Sequence, residues 1–237
     1  MLRIFLKENL EIGREFKITD KIYHYIANVM KSKIGDEIFI VNGKDGEFIA
    51  EIIFLNNKYC VLKIKNKTKN YLKEKFLGLI FAPIQKIDLV LKSATELGVT
   101  DFFPIDTDYT TNKNILKTNK IEGNIIEAVE QSERLDLPNV YKIENLKNIL
   151  EKLKNENSVI FFCEERSGKN SIKEVLKNIK ISDKKIYALV GAEGGFSNKE
   201  KDLIKSYQNV VSVSLGNTIL RAETATITIL AILRMCL

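Results

Sequence analysis

The sequence predicts an α/β protein with two domains, a small β-rich domain over residues 1–70 and a larger α/β domain over residues 71–237. In the first part, short apolar runs are separated by turn signals such as Asn42-Gly43 and Asp45-Gly46, a pattern typical of strands. From about Tyr71, apolar runs alternate with polar segments of helix length, which indicates βα units around a mostly parallel sheet. A chain of 237 residues, 45% of them hydrophobic, fits one large domain or two modest ones.

The individual elements follow from this patterning in chain order. Four strands are predicted in the first domain, at residues 3–6, 37–41, 47–54 and 59–64. The apolar runs of the second domain lie at residues 76–82, 101–105, 158–163, 185–190 and 210–213. Helical patterns lie at residues 86–97, 120–132, 171–179 and 198–207, and a final helix begins at about Leu220.

The charge distribution points to a polyanionic partner. The net charge is +6 with a pI near 9.0, and residues 1–70 alone hold 13 basic and 9 acidic residues. Clustered lysines attract phosphate groups and release their counterions. The lysine run consists of Lys58, Lys63, Lys65, Lys67, Lys69, Lys73 and Lys75. RNA contact and an ordinary solvated surface explain this run equally well.

The histidine and cysteine content excludes several classes of site. His24 is the single histidine, so neither a catalytic triad nor a histidine-rich metal centre is expected. It lies between two tyrosines, and we expect it to pack inside the first domain. Cys60, Cys163 and Cys236 are far apart and lack CxxC spacing, which predicts buried thiols rather than a disulfide framework or a zinc site. We therefore expect no metal ion.

One segment could be mistaken for a membrane span. Residues 224–233 lack charge, but Arg221, Glu223 and Arg234 bracket them closely. Because a span needs about 20 apolar residues, the segment predicts a buried core helix. The N-terminal residues 1–14 alternate apolar and charged side chains and do not resemble a signal peptide. We expect a cytoplasmic protein without a membrane contact.

The segment LVGAEGGFSNKE, residues 189–200, predicts a ligand-binding loop. An apolar strand runs into Gly191, Gly194 and Gly195, and glycines let the backbone adopt positive φ and approach a ligand closely. Ser197 and Glu200 have the spacing of a capping box, which places the start of a helix after the loop. The loop is thus a strand-to-helix turn at the carboxyl edge of the sheet, where α/β proteins bind ligands.

Two common phosphate-binding patterns do not fit this loop. The dinucleotide fingerprint GxGxxG fails on spacing, and Val210 and Val211 stand where its acidic residue is needed. The P-loop fails because no GK[ST] follows. A nucleotide-binding oxidoreductase is therefore disfavoured, whereas a tight turn with a helix cap and no ligand remains an alternative.

A second glycine loop follows in SLGNTILRAETA, residues 214–225. Gly216 comes after an apolar strand, and Arg221, Glu223 and Thr224 lie in or near the first turn of the final helix. Alone, such an arginine and glutamate would form a solvated cap and ion pair. Two such loops at the ends of two nearby strands predict one shared pocket.

The paired motifs GAEGGFS and SLGxxILRxETA resemble the RsmE family of bacterial 16S ribosomal RNA uridine-N3 methyltransferases, within the knotted SPOUT superfamily. ATELGV and EAVEQSER resemble further motifs of that family, and Arg3-Ile4-Phe5, His24 and Gly35-Asp36 are similar to its PUA-like RNA-binding domain. The resemblance spans nearly the whole chain. Thr218, Ser93 and Lys31 depart from it, which affects individual RNA contacts rather than the reaction.

The resemblance implies a SPOUT-type trefoil-knotted domain after a small PUA-like β-barrel, with S-adenosylmethionine held in the knot loops. Mainly through their backbone, the two loops would hold this cofactor. The implied cofactor-binding residues are Leu189, Gly191, Gly194, Gly195, Leu215, Gly216 and Leu220.

Methyl transfer to uridine N3 requires loss of the N3 proton, and a nearby cation lowers the barrier by stabilising the resulting charge. Arg221 is the first candidate for that cation. Glu193 or Glu223 would accept a proton or orient Arg221, although a structural role fits each equally well.

Five residues are expected to contact RNA, namely Arg3, Lys31, Lys92, Gln131 and Arg134. Glu127, Gln131 and Arg134 share one helix face by their spacing, and would line an RNA cleft or a polar interface between helices.

The resemblance also implies partners. The substrate would be 16S ribosomal RNA or the small ribosomal subunit, and the protein would be a homodimer in which the apolar helix of residues 219–237 contributes to the interface. Two alternatives remain: a knotted methyltransferase that modifies another base or a ribose 2′-hydroxyl, and a non-catalytic RNA-binding protein of ribosome assembly.

Overall fold

The computed structural model describes residues 2–110, 120–164 and 171–237, which divide into two compact units. The first unit comprises Met1–Lys73 and Ile126–Leu137, and the second comprises Glu74–Ile125 and Pro138–Leu237. The sequence did not predict that Ile126–Leu137 belongs to the first unit.

The first unit is built on one mixed five-stranded sheet with the strand order β1-β3-β4-β5-β2. The pair β1 and β3 is parallel and the other neighbours are antiparallel. The elements are β1 (Arg3–Phe5), β2 (Glu15–Ile18), α1 (Asp20–His24), β3 (Glu37–Val41), β4 (Glu47–Leu55) and β5 (Cys60–Lys69), with a π-helical turn at Tyr25–Val29.

Two features of this sheet differ from the prediction. Strand β2 was missed because only Phe16 and Ile18 in it are buried, and such a short alternation among charged residues gives little signal. Strand β5 continues to Lys69, so the middle of the lysine run lies on its exposed end. The core below the sheet is formed by apolar side chains such as Ile26, Ile40 and Leu62.

The second unit is built on a seven-stranded sheet with the order β12-β10-β11-β6-β7-β8, and β9 pairs with β7. Every pairing in it is parallel, as the alternation of strands and helices predicted. The strands are β6 (Leu77–Phe81), β7 (Asp101–Asp106), β8 (Asn139–Val140), β9 (Glu144–Asn145), β10 (Ser158–Cys163), β11 (Lys185–Val190) and β12 (Val210–Val213). The helices are α2 (Ile87–Glu96), α3 (Lys120–Gln131), α4 (Leu146–Leu153), α5 (Ile172–Asn178), α6 (Asn198–Lys205) and α7 (Ala222–Met235).

Helix α4 was not predicted, although its pattern is clear in the structure. Leu146, Ile149, Leu150 and Leu153 are buried on one face, and the Asn145 side chain caps the helix by accepting a hydrogen bond from the Lys147 amide. The two-residue strands β8 and β9 before it are too short to show any alternation.

Three predictions about single residues are wrong. Helix α3 ends at Gln131 and Glu133 has a φ of 60°, so Arg134 is not on the helical face of Glu127 and Gln131. His24 is exposed at the end of α1 rather than packed. Cys236 is exposed, whereas Cys60 is buried as predicted.

The parallel strands β10, β11 and β12 lie side by side in the order β12-β10-β11. Because the carboxyl ends of parallel strands meet at one edge of a sheet, the loops after these strands come together there. Helix α7 is one of the elements covering the sheet, and among the described residues no helix is long and apolar enough to cross a membrane.

The first unit contains a buried ion pair that allows a stability prediction. Arg3 pairs with Glu47, whose side chain is 1% exposed. Burial alone would raise the pKa of Glu47, but hydrogen bonds from Thr68 and Arg3 and the charges of Arg3 and Lys69 hold this pKa below its ordinary value of 4.5. The carboxylate therefore stabilises the fold above that pH, and the contribution is lost as the pH falls through the lowered pKa.

We expect Arg3→Met to lower the free energy of unfolding by about 2–3 kcal/mol at pH 7, since it leaves a buried carboxylate with Lys69 as its remaining cationic partner. Urea denaturation would measure this loss, which should shrink below pH 4.5. The double variant Arg3→Met/Glu47→Gln, which buries no charge, should be less destabilised. An equal loss of unfolding free energy at pH 7 and pH 4 would show that the effect of Arg3→Met does not depend on the charge of Glu47.

Candidate active site

A cavity of about 400 Å³ lies at the carboxyl ends of β10, β11 and β12. The loop after β11 and the loop after β12 form most of its wall. The lining includes residues 162–164, Ser171, residues 190–196, Lys201, residues 213–220, Ala222 and Ala225. The structure therefore confirms that the two glycine loops share one pocket.

The loop after β11 is tightly folded on itself. The Gly195 amide donates a 2.9 Å hydrogen bond to the Ala192 carbonyl, and Gly195 has a φ of 71°, which favours glycine. A Cβ on Gly191 would lie 2.9 Å from the ring of Phe196. That ring is buried and packs edge-on against Phe162 at 5.4 Å, so it has little room to move. Gly191 is thus required by packing and Gly195 by backbone conformation.

Helix α6 begins directly after this loop with the predicted capping box. The Ser197 hydroxyl accepts a hydrogen bond from the Glu200 amide, and the Glu200 side chain accepts one from the Ser197 amide. These bonds fix where the loop ends and the helix starts.

The loop after β12 leaves open space at its glycine. Gly216 has a φ of 136°, and no other heavy atom lies within 4 Å of where its Cβ would stand. Ser214, at the start of the loop, donates from its hydroxyl to the Gly216 carbonyl at 3.1 Å and pairs with Ser171 in an isolated parallel bridge. The conformation of Gly216 is therefore held by its own loop, and Gly216 is one of the residues that line the cavity.

Most of the residues predicted to hold a cofactor line this cavity. Six of the seven do so: Gly191, Gly194, Gly195, Leu215, Gly216 and Leu220. Leu189 does not, because it lies within β11 and its side chain is fully buried in the core.

Strand β10 also contributes to the pocket, which the sequence did not predict. Its last residue, Cys163, and the following Glu164 line the cavity. Burial raises the pKa of Cys163 to about 12, so it is a neutral thiol at physiological pH. Glu164 is 11% exposed and accepts a 2.6 Å ion pair from Lys205. The position of β10 between β11 and β12 would have indicated these residues, but strand order is not visible in the sequence.

The candidate catalytic side chains form a polar cluster at residues 85–86, 193 and 221–223. The Glu223 carboxylate pairs with Lys86 Nζ at 2.9 Å, and Glu193 Oε1 accepts a 3.0 Å hydrogen bond from the Gln85 amide. Arg221 is the exposed N-cap residue of α7, and within the described ranges its guanidinium makes no hydrogen bond or ion pair. Glu193 lines the cavity, whereas Arg221 and Glu223 flank the lining residues Leu220 and Ala222.

The cluster keeps Glu223 ionised. The hydrogen bond from Lys86, the backbone amide of Glu223 itself and the charges of Lys86 and Arg221 lower the pKa of this carboxyl. Lys86 was not singled out in the sequence, because a lysine at the start of a helical pattern is usually a solvated residue.

Of the five predicted RNA contacts, two are buried and three are at least partly exposed. Arg3 and Arg134 are buried in the first unit, where Arg3 pairs with Glu47 and Arg134 forms two hydrogen bonds to Asp136 at 2.9 and 2.6 Å. Both arginines are therefore engaged within the protein. Lys31 and Gln131 are exposed in the same unit, and Lys92 is half-buried on α2 in the second unit. Within the residues that the structure describes, no cluster of side chains could hold a metal ion.

Both units match known protein families. Residues 70–234 match the family described as an RNA methyltransferase domain, and residues 18–65 match an RNA methyltransferase PUA domain. A relative named ribosomal RNA small subunit methyltransferase E from Rickettsia conorii is 34% identical over 236 residues, which cover 98% of this chain and 95% of the relative. A relative of the same name from Bacillus subtilis is 26% identical, with 95% of this chain and 93% of the relative covered.

Solved structures show the same fold. The ribosomal RNA small subunit methyltransferase E of Neisseria gonorrhoeae, bound to S-adenosyl methionine, has a TM-score of 0.87 at 24% identity and covers 100% of this chain and 98% of its own. A Legionella pneumophila methyltransferase in complex with the same cofactor has a TM-score of 0.87 at 22% identity, and the match covers 99% of this chain and 97% of the Legionella chain. These likenesses confirm the predicted fold class, a PUA-like β domain before an α/β methyltransferase domain. The knot and the closure of the first sheet into a barrel stay predictions.

The packing around Gly191 yields a prediction about the pocket itself. We expect Gly191→Ala to lower the free energy of unfolding by about 1–3 kcal/mol, because the new Cβ forces the buried Phe196 ring to shift. Thermal or urea unfolding would measure it. Gly123→Ala is the matched control, since Gly123 is exposed on helix α3 and a Cβ there meets nothing within 4 Å, and it should be neutral or slightly stabilising. Equal stability of both variants would refute the packing role of Gly191.

Proposed function

This chain belongs to the ribosomal RNA small subunit methyltransferase E family, and we propose that it transfers a methyl group from S-adenosylmethionine to N3 of a uridine in 16S ribosomal RNA. The observation that carries the proposal is the cavity between the two glycine loops, in a chain that matches RNA methyltransferase domains over residues 70–234. The predicted class of enzyme, an RNA methyltransferase, is confirmed by the same matches.

The pocket suits a cofactor of this kind. Its volume of about 400 Å³ falls within the range of roughly 300–1,000 Å³ that is usual for small-molecule sites. Gly216 lines the cavity and has no side chain to obstruct it, which lets a ligand approach the backbone closely. Backbone amides and carbonyls of both loops would hold the adenine and methionine parts. When bound, the cofactor supplies a methyl group on a positively charged sulfur.

The protein's own contribution is to stabilise the uridine after its N3 proton leaves. The resulting negative charge spreads onto the flanking carbonyl oxygens, where a guanidinium can donate hydrogen bonds. Arg221 has this group exposed beside the pocket. It is therefore the catalytic cation in our proposal.

Of the two candidate proton acceptors, Glu193 fits the geometry better. Glu223 is held ionised by Lys86, so protonating it would disrupt an ion pair. Glu193 lines the cavity and uses Oε1 for the Gln85 amide, while its second oxygen makes no hydrogen bond to the described residues. In our proposal, that oxygen accepts the N3 proton of a uridine bound in the pocket.

The substrate, assembly and location complete the proposal. We infer that the exposed lysines at the end of β5, with Lys31 and Gln131, contact the RNA phosphates or grooves. A homodimer and a cytoplasmic location belong to the same proposal, on the strength of family membership. Purified chain incubated with labelled cofactor and unmodified small subunits should yield 3-methyluridine; label at a ribose or on another base would favour the alternative substrates.

A substitution at Gly216 tests the proposed cofactor site. We expect Gly216→Val to weaken S-adenosylmethionine binding at least about tenfold, or roughly 1.4 kcal/mol, because valine is strained at positive φ and the loop that lines the cavity would have to change shape. Titration calorimetry would measure the affinity. Gly13→Val is the matched control, since Gly13 has a φ of 86° and open space around it in the first unit. Normal affinity in Gly216→Val would refute the placement of the cofactor.

Substitutions of Arg221 test the proposed mechanism. We expect Arg221→Ala to lower the rate of methyl transfer at least about tenfold, worth roughly 1.4 kcal/mol of barrier, while cofactor affinity stays near that of the wild type. Arg221→Lys keeps the charge but not the planar guanidinium, so its rate should lie between those of the wild type and Arg221→Ala. Arg234→Ala, at the other end of α7, is the control because Arg234 pairs with Glu74 at 3.1 Å. Full activity of Arg221→Ala would remove Arg221 from the mechanism.

A further inference from the structure

The turn at Gln85 and Lys86, just before α2, is the point at which both candidate carboxylates are anchored. Glu193 accepts from the Gln85 amide, and Glu223 pairs with Lys86 Nζ at 2.9 Å. The two carboxylates come from different segments, the loop after β11 and the first turn of α7. A two-residue turn thus fixes the acidic groups of the site.

The two cations of this cluster are not equally engaged. Lys86 and Arg221 are two cations, and Glu223 is the carboxylate that both act on. Glu223 is 10% exposed and is hydrogen-bonded to Lys86, whereas the exposed guanidinium of Arg221 has no such bond to the described residues. Since a carboxylate that is already paired attracts a second cation less, the pairing with Lys86 leaves Arg221 available.

We propose that Lys86 is a positioning residue: by pairing with Glu223, it keeps the Arg221 guanidinium free to bind the uridine base. This inference rests on the proposed function and extends it to a residue with no direct contact to the substrate. Without Lys86, the Glu223 carboxylate would pair with Arg221, two residues before it at the start of the same helix. The positive charge of the guanidinium would then already be neutralised when the uridine binds.

Stability alone does not account for this ion pair. The Lys86 side chain is 55% exposed, and ion pairs of exposed lysines usually contribute only about 0–1 kcal/mol. Glu223 also lies in the first turn of α7, where the helix dipole and the backbone amides already favour a carboxylate. Removing Lys86 should therefore change the site more than the fold.

The test compares four variants by their kcat and KM for small subunits that lack the modification, and by their calorimetric affinity for S-adenosylmethionine. We expect Lys86→Met to lower kcat about fivefold with unchanged cofactor affinity and thermal stability. In Lys86→Met/Glu223→Gln, no carboxylate competes for Arg221, so most of the lost kcat should return. Lys86→Arg should retain most activity because it keeps the ion pair.

Lys152→Met is the matched control, because Lys152 forms a comparable pair with Glu144 at 2.6 Å on another part of the second unit. It should keep wild-type activity. Rescue by the second substitution is the decisive readout, since a purely structural role of Lys86 would leave the double variant at least as impaired as the single one.

The outcomes separate this inference from the proposed function. An inactive wild-type chain would contradict the proposed function itself. An active wild type with an equally active Lys86→Met variant, or a double variant no better than Lys86→Met, would overturn the role of Lys86 while the proposed function stands. If Lys86→Met were unstable, the kcat of Lys86→Gln and its rescue by Glu223→Gln would decide in the same way.

Discussion

The site depends on the parallel pairing of β10, β11 and β12. Parallel hydrogen bonding turns the three carboxyl ends toward one edge, and the order β12-β10-β11 brings together loops that are about twenty residues or more apart in the chain. If β11 ran antiparallel to its neighbours, the loop with Gly191 would lie at the opposite edge from the loop with Gly216. The cavity and the polar cluster both follow from that common edge.

Cofactor binding and charge stabilisation fall to different parts of the site: the glycine loops form the pocket, and charged side chains lie beside it. Its walls are mainly residues of the two loops, in which Gly195 and Gly216 adopt positive φ and Gly191 makes room for a buried ring. Charged groups lie beside it: Lys86 and Glu223 form an ion pair, while the Arg221 guanidinium makes no hydrogen bond or ion pair with the described residues. A pocket lined by glycine-containing loops suits a cofactor that approaches the backbone closely, and a guanidinium with no hydrogen bond to the described residues suits a base that becomes negatively charged during the reaction.

The sequence allowed much of this arrangement to be predicted, and the failures have physical reasons. The glycine spacing and the Ser197–Glu200 capping box are local, so the loop, the helix start and the six lining residues were found. Leu189 does not line the cavity because its side chain lies in the core, which depends on strand register that the sequence does not show; a cofactor contact by its backbone stays a prediction. Lys86 was missed because its importance comes from Glu223, 137 residues away, and the burial of Arg3 and Arg134 likewise comes from partners that folding supplies.

The central claim is that this chain methylates N3 of one uridine in 16S ribosomal RNA. The most direct measurement is mass spectrometry of nuclease-digested 16S RNA from cells with and without the gene for this chain. We predict that a single 3-methyluridine disappears when the gene is deleted and returns when the intact gene is restored. An unchanged content of 3-methyluridine, with or without the loss of some other methylated nucleotide, would contradict it.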